Sequence, residues 1–184
     1  MIGSGFDAVA ANRVNRFGPV LKLLPGTIPS LICVVLTLFD YRFPTLTLRA
    51  DGREVVIPRA VFSAFGLCGY IGGGMWLLPG AVPDDGLFDV LWAHGISRMR
   101  ILHLLTKIYK GKHIEHPKIE VIRARRVEVS SEPPLIWHMD GEIGGRLPIT
   151  VEILPRALDI IVPPNRPCET GASVRPWSPG SSTP

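Results

Sequence analysis

Apolar residues recur at helical spacing at Phe6, Val9, Ala10, Val14 and Phe17. The pattern predicts a first helix over residues 6–17, stopped by Gly18-Pro19. The most apolar stretch follows, over 24–39, interrupted by Pro25 and Pro29. It is shorter than the ~20 apolar residues of a membrane-spanning helix. It is expected to be a buried helix that begins after Pro29, since proline suits a first turn. Leu46 and Leu48, then Asp51-Gly52, then Val55 and Ile57 make the best hairpin signal in the chain. Asp-Gly between alternating segments favours a type I′ turn. Residues 61–67 and 74–78 read as buried strands on either side of a glycine-rich connection, and 87–92 as another strand. Over 98–109 the spacing predicts an amphipathic helix with Met99, Leu102, Leu105 and Ile108 inward and Gly111 as its C-cap. Residues 119–129 read as one strand, with Ile119, Val121, Val127 and Val129 alternating. Short strands at 135–139, 149–154 and 157–162 complete the run. Pro148 falls just ahead of its strand, where no ladder bond is lost.

Composition sharpens this picture. Of 184 residues, 46% are hydrophobic and 20% charged, as in globular proteins. Gly (19) and Pro (18) are both high, which argues for many turns and short strands rather than a helical bundle. Six prolines with Gly, Ser and Thr fill 163–184, and that segment is expected to be a disordered tail. One domain over 1–162 remains. The fold class is mainly β (α+β): an antiparallel two-layer sandwich or distorted barrel with two or three helices.

The net charge is +4. Lys107, Lys110, Lys112, Lys118, Arg123, Arg125 and Arg126 cluster with only Tyr109 nearby, which is not the aromatic-interleaved pattern of a nucleic-acid binder. A solvated basic face is the plain reading. Attraction to an anionic membrane surface is the functional one, at about 1 kcal/mol per cation. Cys33, Cys68 and Cys168 fit neither a disulfide framework nor a zinc pattern. Cys33 and Cys68 are expected to be small buried hydrophobes in a reducing cytoplasm. No basic n-region precedes Phe6, so no signal peptide is expected.

Four stretches carry candidate chemistry. Gly72-Gly73-Gly74 is not followed by Gly-Lys-Ser/Thr, so it is no Walker phosphate loop. Asp84-Asp85-Gly86 offers carboxylates to a hard cation such as Mg²⁺, although Asp-Gly alone is more often a turn. Asp140-Gly141-Glu142 follows a short strand. Its two carboxylates suit a base that takes a proton from a hydroxyl, and on the residues alone an exposed turn competes with that role. Asp7, in Gly3-Ser4-Gly5-Phe6-Asp7-Ala8, suits a helix N-terminus. His103, His113, His116 and His138 have no metal-ligand spacing.

In series, these motifs, with Gly111-Lys112-His113, His116-Pro117 and Glu132-Pro133, resemble the C-terminal domain of the soluble diacylglycerol kinase family, which includes sphingosine and ceramide kinases. The resemblance covers roughly residues 3–162. It implies a domain that presents a lipid hydroxyl to the γ-phosphoryl of ATP, most simply diacylglycerol. It implies Glu142 as the base and Asp140 as organiser of the water and metal network around the phosphates. It implies a structural Mg²⁺ on the Asp85 side chain with the carbonyls of Val82 and Leu87, and a lipid head-group contact at Asp7. His113 and His116 would be structural, and the glycine triplet would mark a strand pair beside the interdomain cleft. The family's Gly-Gly-Asp-Gly signature does not occur in this sequence, so ATP would be bound mainly by a nucleotide-binding domain supplied in cis or in trans. The isolated chain is expected to be inactive, cytoplasmic and peripheral at the inner membrane face, without nucleic acid; homodimer formation stays open. Two rivals remain: a non-catalytic lipid-binding or regulatory module, and, more weakly, a metal-dependent hydrolase using Asp85, Asp140 and Glu142.

Overall fold

Strands that are apolar on both faces need a layer on each side, and the chain builds three layers to satisfy them. The computed structural model describes residues 1–21, 28–159 and 161, with side chains described for 1–17, 28–159 and 161. The described elements are β1 (Ile2–Gly5), α1 (Phe6–Leu21), α2 (Ile28–Asp40), β2 (Thr45–Ala50), β3 (Arg53–Ile57), β4 (Ala60–Gly66), β5 (Tyr70–Ile71), β6 (Met75–Trp76), β7 (Phe88–His94), α3 (Arg98–Ile108), β8 (Ile119–Ala124), β9 (Arg126–Glu132), β10 (Ile136–Met139), β11 (Glu142–Arg146) and β12 (Ile149–Glu152). A six-stranded antiparallel sheet runs β11-β10-β1-β4-β7-β8, and a four-stranded one runs β12-β9-β2-β3. The sheets stay separate, so the architecture is the sandwich and not the barrel.

Strand β7 shows how the layers form. Val90 and Trp92 point into the core between the sheets, against Leu46, Leu48, Val127 and Val129. Leu91 and Ala93 point the other way, under Phe6 of α1, Leu38 of α2 and Ile101, Leu104 and Ile108 of α3. Leu48 is fully buried, and truncating it to Ala would cost about 2–5 kcal/mol.

The hairpin at Asp51-Gly52 forms as expected, with φ of 47° and 81° at its two central residues. Gly111 also closes α3, at φ 65°, its N–H bonded to the Ile108 carbonyl at 3.1 Å. Pro148 stands just ahead of β12.

Several expectations are corrected. Helix α1 does not stop at Gly18-Pro19 but continues to Leu21; one missing N–H removes only one ladder bond. Helix α2 is not buried: Cys33, Thr37 and Leu38 face inward, while Leu31, Leu36 and Phe39 are 58%, 51% and 66% exposed. It lies on the outside of the helical layer, so only one stripe meets the sheet. The start of the apolar run, 24–27, lies outside the described residues. In α3 the inward stripe is Ile101, Leu104 and Ile108, and Met99 is exposed. Residues 119–129 are two strands in different sheets, parted at Arg125. The Asp51 carboxylate takes the Arg125 and Arg126 N–H groups at 2.9–3.1 Å there.

Of 74–78, only Met75 and Trp76 are strand, paired with β5 in a ribbon of their own. Residues 157–159 form no strand, and Leu158 is exposed. Strands β1 and β11 were not anticipated. Cys68 is exposed rather than buried, because it sits where the chain leaves β4; Cys168 and the 163–184 tail lie outside the described residues.

Candidate functional site

Sheet register decides which motifs meet. Gly66 of β4 pairs with Asp89 of β7, and Asp89 with Arg123 of β8. Ile2 pairs with Phe65 on one side and Met139 on the other, and the Asp140 N–H extends the ladder to the Met1 carbonyl at 2.9 Å. Asp140, Met1, Gly66, Asp89 and Arg123 thus form one row across five strands. At about 4.8 Å per strand, Asp140 and Asp89 lie roughly 14 Å apart at the same end of the sheet. The Asp84-Asp85-Gly86 loop enters β7 at this end, and the glycine ribbon leaves β4 there. The topology therefore gathers the acidic loop, the acidic turn and the glycine triplet.

Asp140-Gly141 is the two-residue turn of the β10–β11 hairpin, with φ of 50° and 93°. Positive φ at both positions is the type I′ geometry that Asp-Gly favours. Glu142 opens β11 directly after it and is exposed, as is Asp140. The turn is held from below. Gly141 N–H donates to His138 Nδ1 at 3.2 Å, so that nitrogen accepts and the ring proton sits on Nε2. His138 Nε2–H then donates to Asp7 Oδ2 at 3.0 Å. Asn15 Nδ2 of α1 donates to the Gly141 carbonyl at 3.0 Å. Asp7 is therefore tied to the Asp140–Glu142 turn through one imidazole.

Gly3 runs under this pair. A Cβ there would stand 2.5 Å from His138 Nε2, which only a glycine avoids. The second oxygen of Asp7, Oδ1, and the Tyr41 hydroxyl are both buried with no partner among the described residues. Burial first, then the Asp7 charge, raises the Tyr41 pKa, so its phenol stays protonated.

The Asp85 loop is pinned differently. Asp85 Oδ1 accepts the Leu87 N–H at 2.9 Å, and Oδ2 lies 3.4 Å from Arg123 Nη1. Arg123 also reaches Asp89 Oδ1 at 3.4 Å and the Gly80 carbonyl at 2.8 Å. From the other side, buried His113 donates from Nε2 to the Leu77 carbonyl at 2.9 Å. Burial lowers the His113 pKa, and the bond to Leu77 opposes it. Gly72, Gly73 and Gly74 meet nothing within 4 Å, so the triplet serves the turn of the β5–β6 ribbon.

Sequence reasoning missed the roles of His138, Asn15 and Arg123. His138 had a signal, its place two residues before Asp140. Asn15 and Arg123 had none, because their partners are far away in the chain. The supposed single basic face is also divided: Arg123 serves the Asp85 loop, and Arg126 pairs with Glu128 and Glu152.

Residues 1–162 match the family described as the YegS C-terminal NAD kinase beta sandwich-like domain. Diacylglycerol kinase of Mycobacterium tuberculosis (strain H37Rv) is 30% identical over 160 residues, which cover 87% of this chain and 50% of that protein. Diacylglycerol kinase of Staphylococcus aureus (strain Newman) is 31% identical over 118 residues, 64% of this chain and 37% of the other. A crystal structure from Bacillus anthracis str. Sterne, of a protein to which diacylglycerol kinase activity has been ascribed, superposes with a TM-score of 0.57 at 19% identity. It covers 84% of this chain and 49% of that one, and supports the fold alone. The chain spans about half the length of the curated relatives it matches.

Proposed function

Since the chain belongs to the YegS C-terminal NAD kinase beta sandwich-like domain family, we propose that it is the acceptor-binding half of an ATP-dependent lipid kinase. The observation that carries this reading is the gathering of Asp7, Asp140, Glu142 and the Asp85 loop at one end of the six-stranded sheet. ATP, brought as its Mg²⁺ complex by a nucleotide-binding half in cis or in trans, would supply the phosphoryl group at that end. Glu142, exposed at the hairpin tip, would take the proton of the acceptor hydroxyl as its oxygen attacks the γ-phosphorus, and ADP would leave. Asp7, bonded through Oδ2 to His138 behind the turn, is the proposed contact for the polar head of a diacylglycerol-like acceptor.

Contact with an anionic membrane surface is supported by the outward apolar row of α2. Arg98 at the start of α3 donates to the Leu38 and Tyr41 carbonyls at 2.8 and 3.1 Å, which ties the start of α3 to the end of α2, and Met99 beside it is exposed. Further along, Arg100, Lys118 and Lys107 gather around His116; burial first and then these charges lower its pKa. Apolar residues flanked by cations are what an anionic lipid surface binds.

The test is to fuse the chain to the nucleotide-binding half of the mycobacterial relative and supply ATP with diacylglycerol vesicles. Phosphatidic acid should form. Lipid binding without any turnover in the fusion would favour the non-catalytic module.

A further inference from the structure

We propose that Arg123 is the built-in cation of the loop over residues 79–87, and that it holds this loop without a divalent ion. The guanidinium spends its three nitrogens on three separate oxygens. Nη2 donates to the Gly80 carbonyl at 2.8 Å, Nη1 faces Asp85 Oδ2 at 3.4 Å, and Nε faces Asp89 Oδ1 at 3.4 Å. The planar fork of arginine suits such divided contacts, where an ammonium would act as one point charge. Its position comes from the strands and not from the loop: Arg123 stands opposite Asp89 in the β7–β8 ladder.

The site needs a positive charge. Asp89 is 1% exposed, and Asp85 lies close enough for its charge to act on it. Burial pushes the Asp89 carboxyl up, and Arg123 pulls it back. Two carboxylates and a carbonyl without Arg123 would be a hard-cation site of the oxygen type that Mg²⁺ takes. With Arg123 present the donors do not fit an added ion. Asp85 Oδ1 takes the Leu87 N–H and Oδ2 faces the guanidinium, so the cation beside this carboxylate is already Arg123, while Asp89 Oδ2 stays buried with no partner among the described residues. Asp85 is then an anchor for Arg123, and Val82 and Leu87 have no ion to hold. The inference does not depend on kinase activity, which would still use the Mg²⁺ that accompanies ATP.

Thermal melting of the chain in chelator and in millimolar Mg²⁺, at constant ionic strength, tests it. The unaltered chain should melt at the same temperature in both. Arg123→Met should melt lower in chelator by roughly 5 °C or more, and Mg²⁺ should return part of that loss. Asp85→Ala should be destabilised equally in both conditions. A saturable rise in the melting temperature of the unaltered chain with Mg²⁺ would overturn the proposal, as would an Arg123→Met chain that melts unchanged or gains no Mg²⁺ response. If Arg123→Met does not fold, Arg123→Lys takes its place, with a smaller loss expected in chelator. The Mg²⁺ titration of the unaltered chain decides in either case.

Discussion

At the scale of single residues, the proposed chemistry falls on Glu142, and the other groups are there to place it. Gly141 is held at its N–H by His138 and at its carbonyl by Asn15, so the turn presents Glu142 from a fixed base. In the fusion enzyme, Glu142→Gln should leave folding and lipid binding nearly intact, since the amide keeps the shape. It should lower kcat by about 10²–10⁴-fold, the usual size of a general-base contribution, with little change in KM. Steady-state kinetics check this, and a variant that keeps most of its kcat removes Glu142 from the mechanism. His113 gives a second residue-scale expectation. Its folded pKa lies below the ordinary 6.5, because burial favours the neutral ring. Below pH 6.5 the unfolded chain takes up a proton that the folded chain resists, so stability falls as pH falls through that value. Melting between about pH 7.5 and pH 5.5 should show a steeper acid loss for the unaltered chain than for His113→Gln. Equal slopes would mean that another group titrates.

At the scale of elements, the most consequential correction is α2. Its composition made it look like core, yet three of its largest side chains face solvent. A one-dimensional hydrophobic run cannot tell a helix wrapped by neighbours from one that meets a sheet along a single stripe. If the outer row serves a membrane, Leu36→Glu with Phe39→Glu should leave the melting temperature nearly unchanged, because neither position is buried. Co-sedimentation with vesicles rich in anionic phosphatidylglycerol should weaken roughly tenfold or more, since burial of each side chain contributes about 1.5–3 kcal/mol. Equal binding by the variant would assign the row to another partner. The Asp51-Gly52 and Asp140-Gly141 turns make the contrasting case. Both are Asp-Gly pairs, and both adopt the same positive-φ geometry. The first was legible as a hairpin because both its flanks alternate. The second was not, because Gly144 and Gly145 blur the pattern of β11.

At the scale of the whole molecule, the exposed Asp140 and Glu142 sit at one end of a sheet. Glu142 is exposed, and phosphoryl transfer needs donors that grip the ATP phosphates and exclude water. The purified chain alone should therefore form no phosphatidic acid from ATP and diacylglycerol above a protein-free control. Turnover by the chain alone would show that it binds nucleotide itself and would refute the division of labour proposed above.

The sequence by itself determined the antiparallel β class, the Asp51-Gly52 hairpin, the closure of α3 at Gly111 and the family, because these depend on local spacing or on motifs in order. Tertiary structure alone decided that β8 and β9 belong to different sheets, that α2 is half outside, that His138 ties Asp7 to Gly141, and that Arg123 stands between Asp85 and Asp89. The reason is the same in each case. Contacts between segments join residues 34 to 131 positions apart, and no periodicity within one segment tells which other segments it will meet.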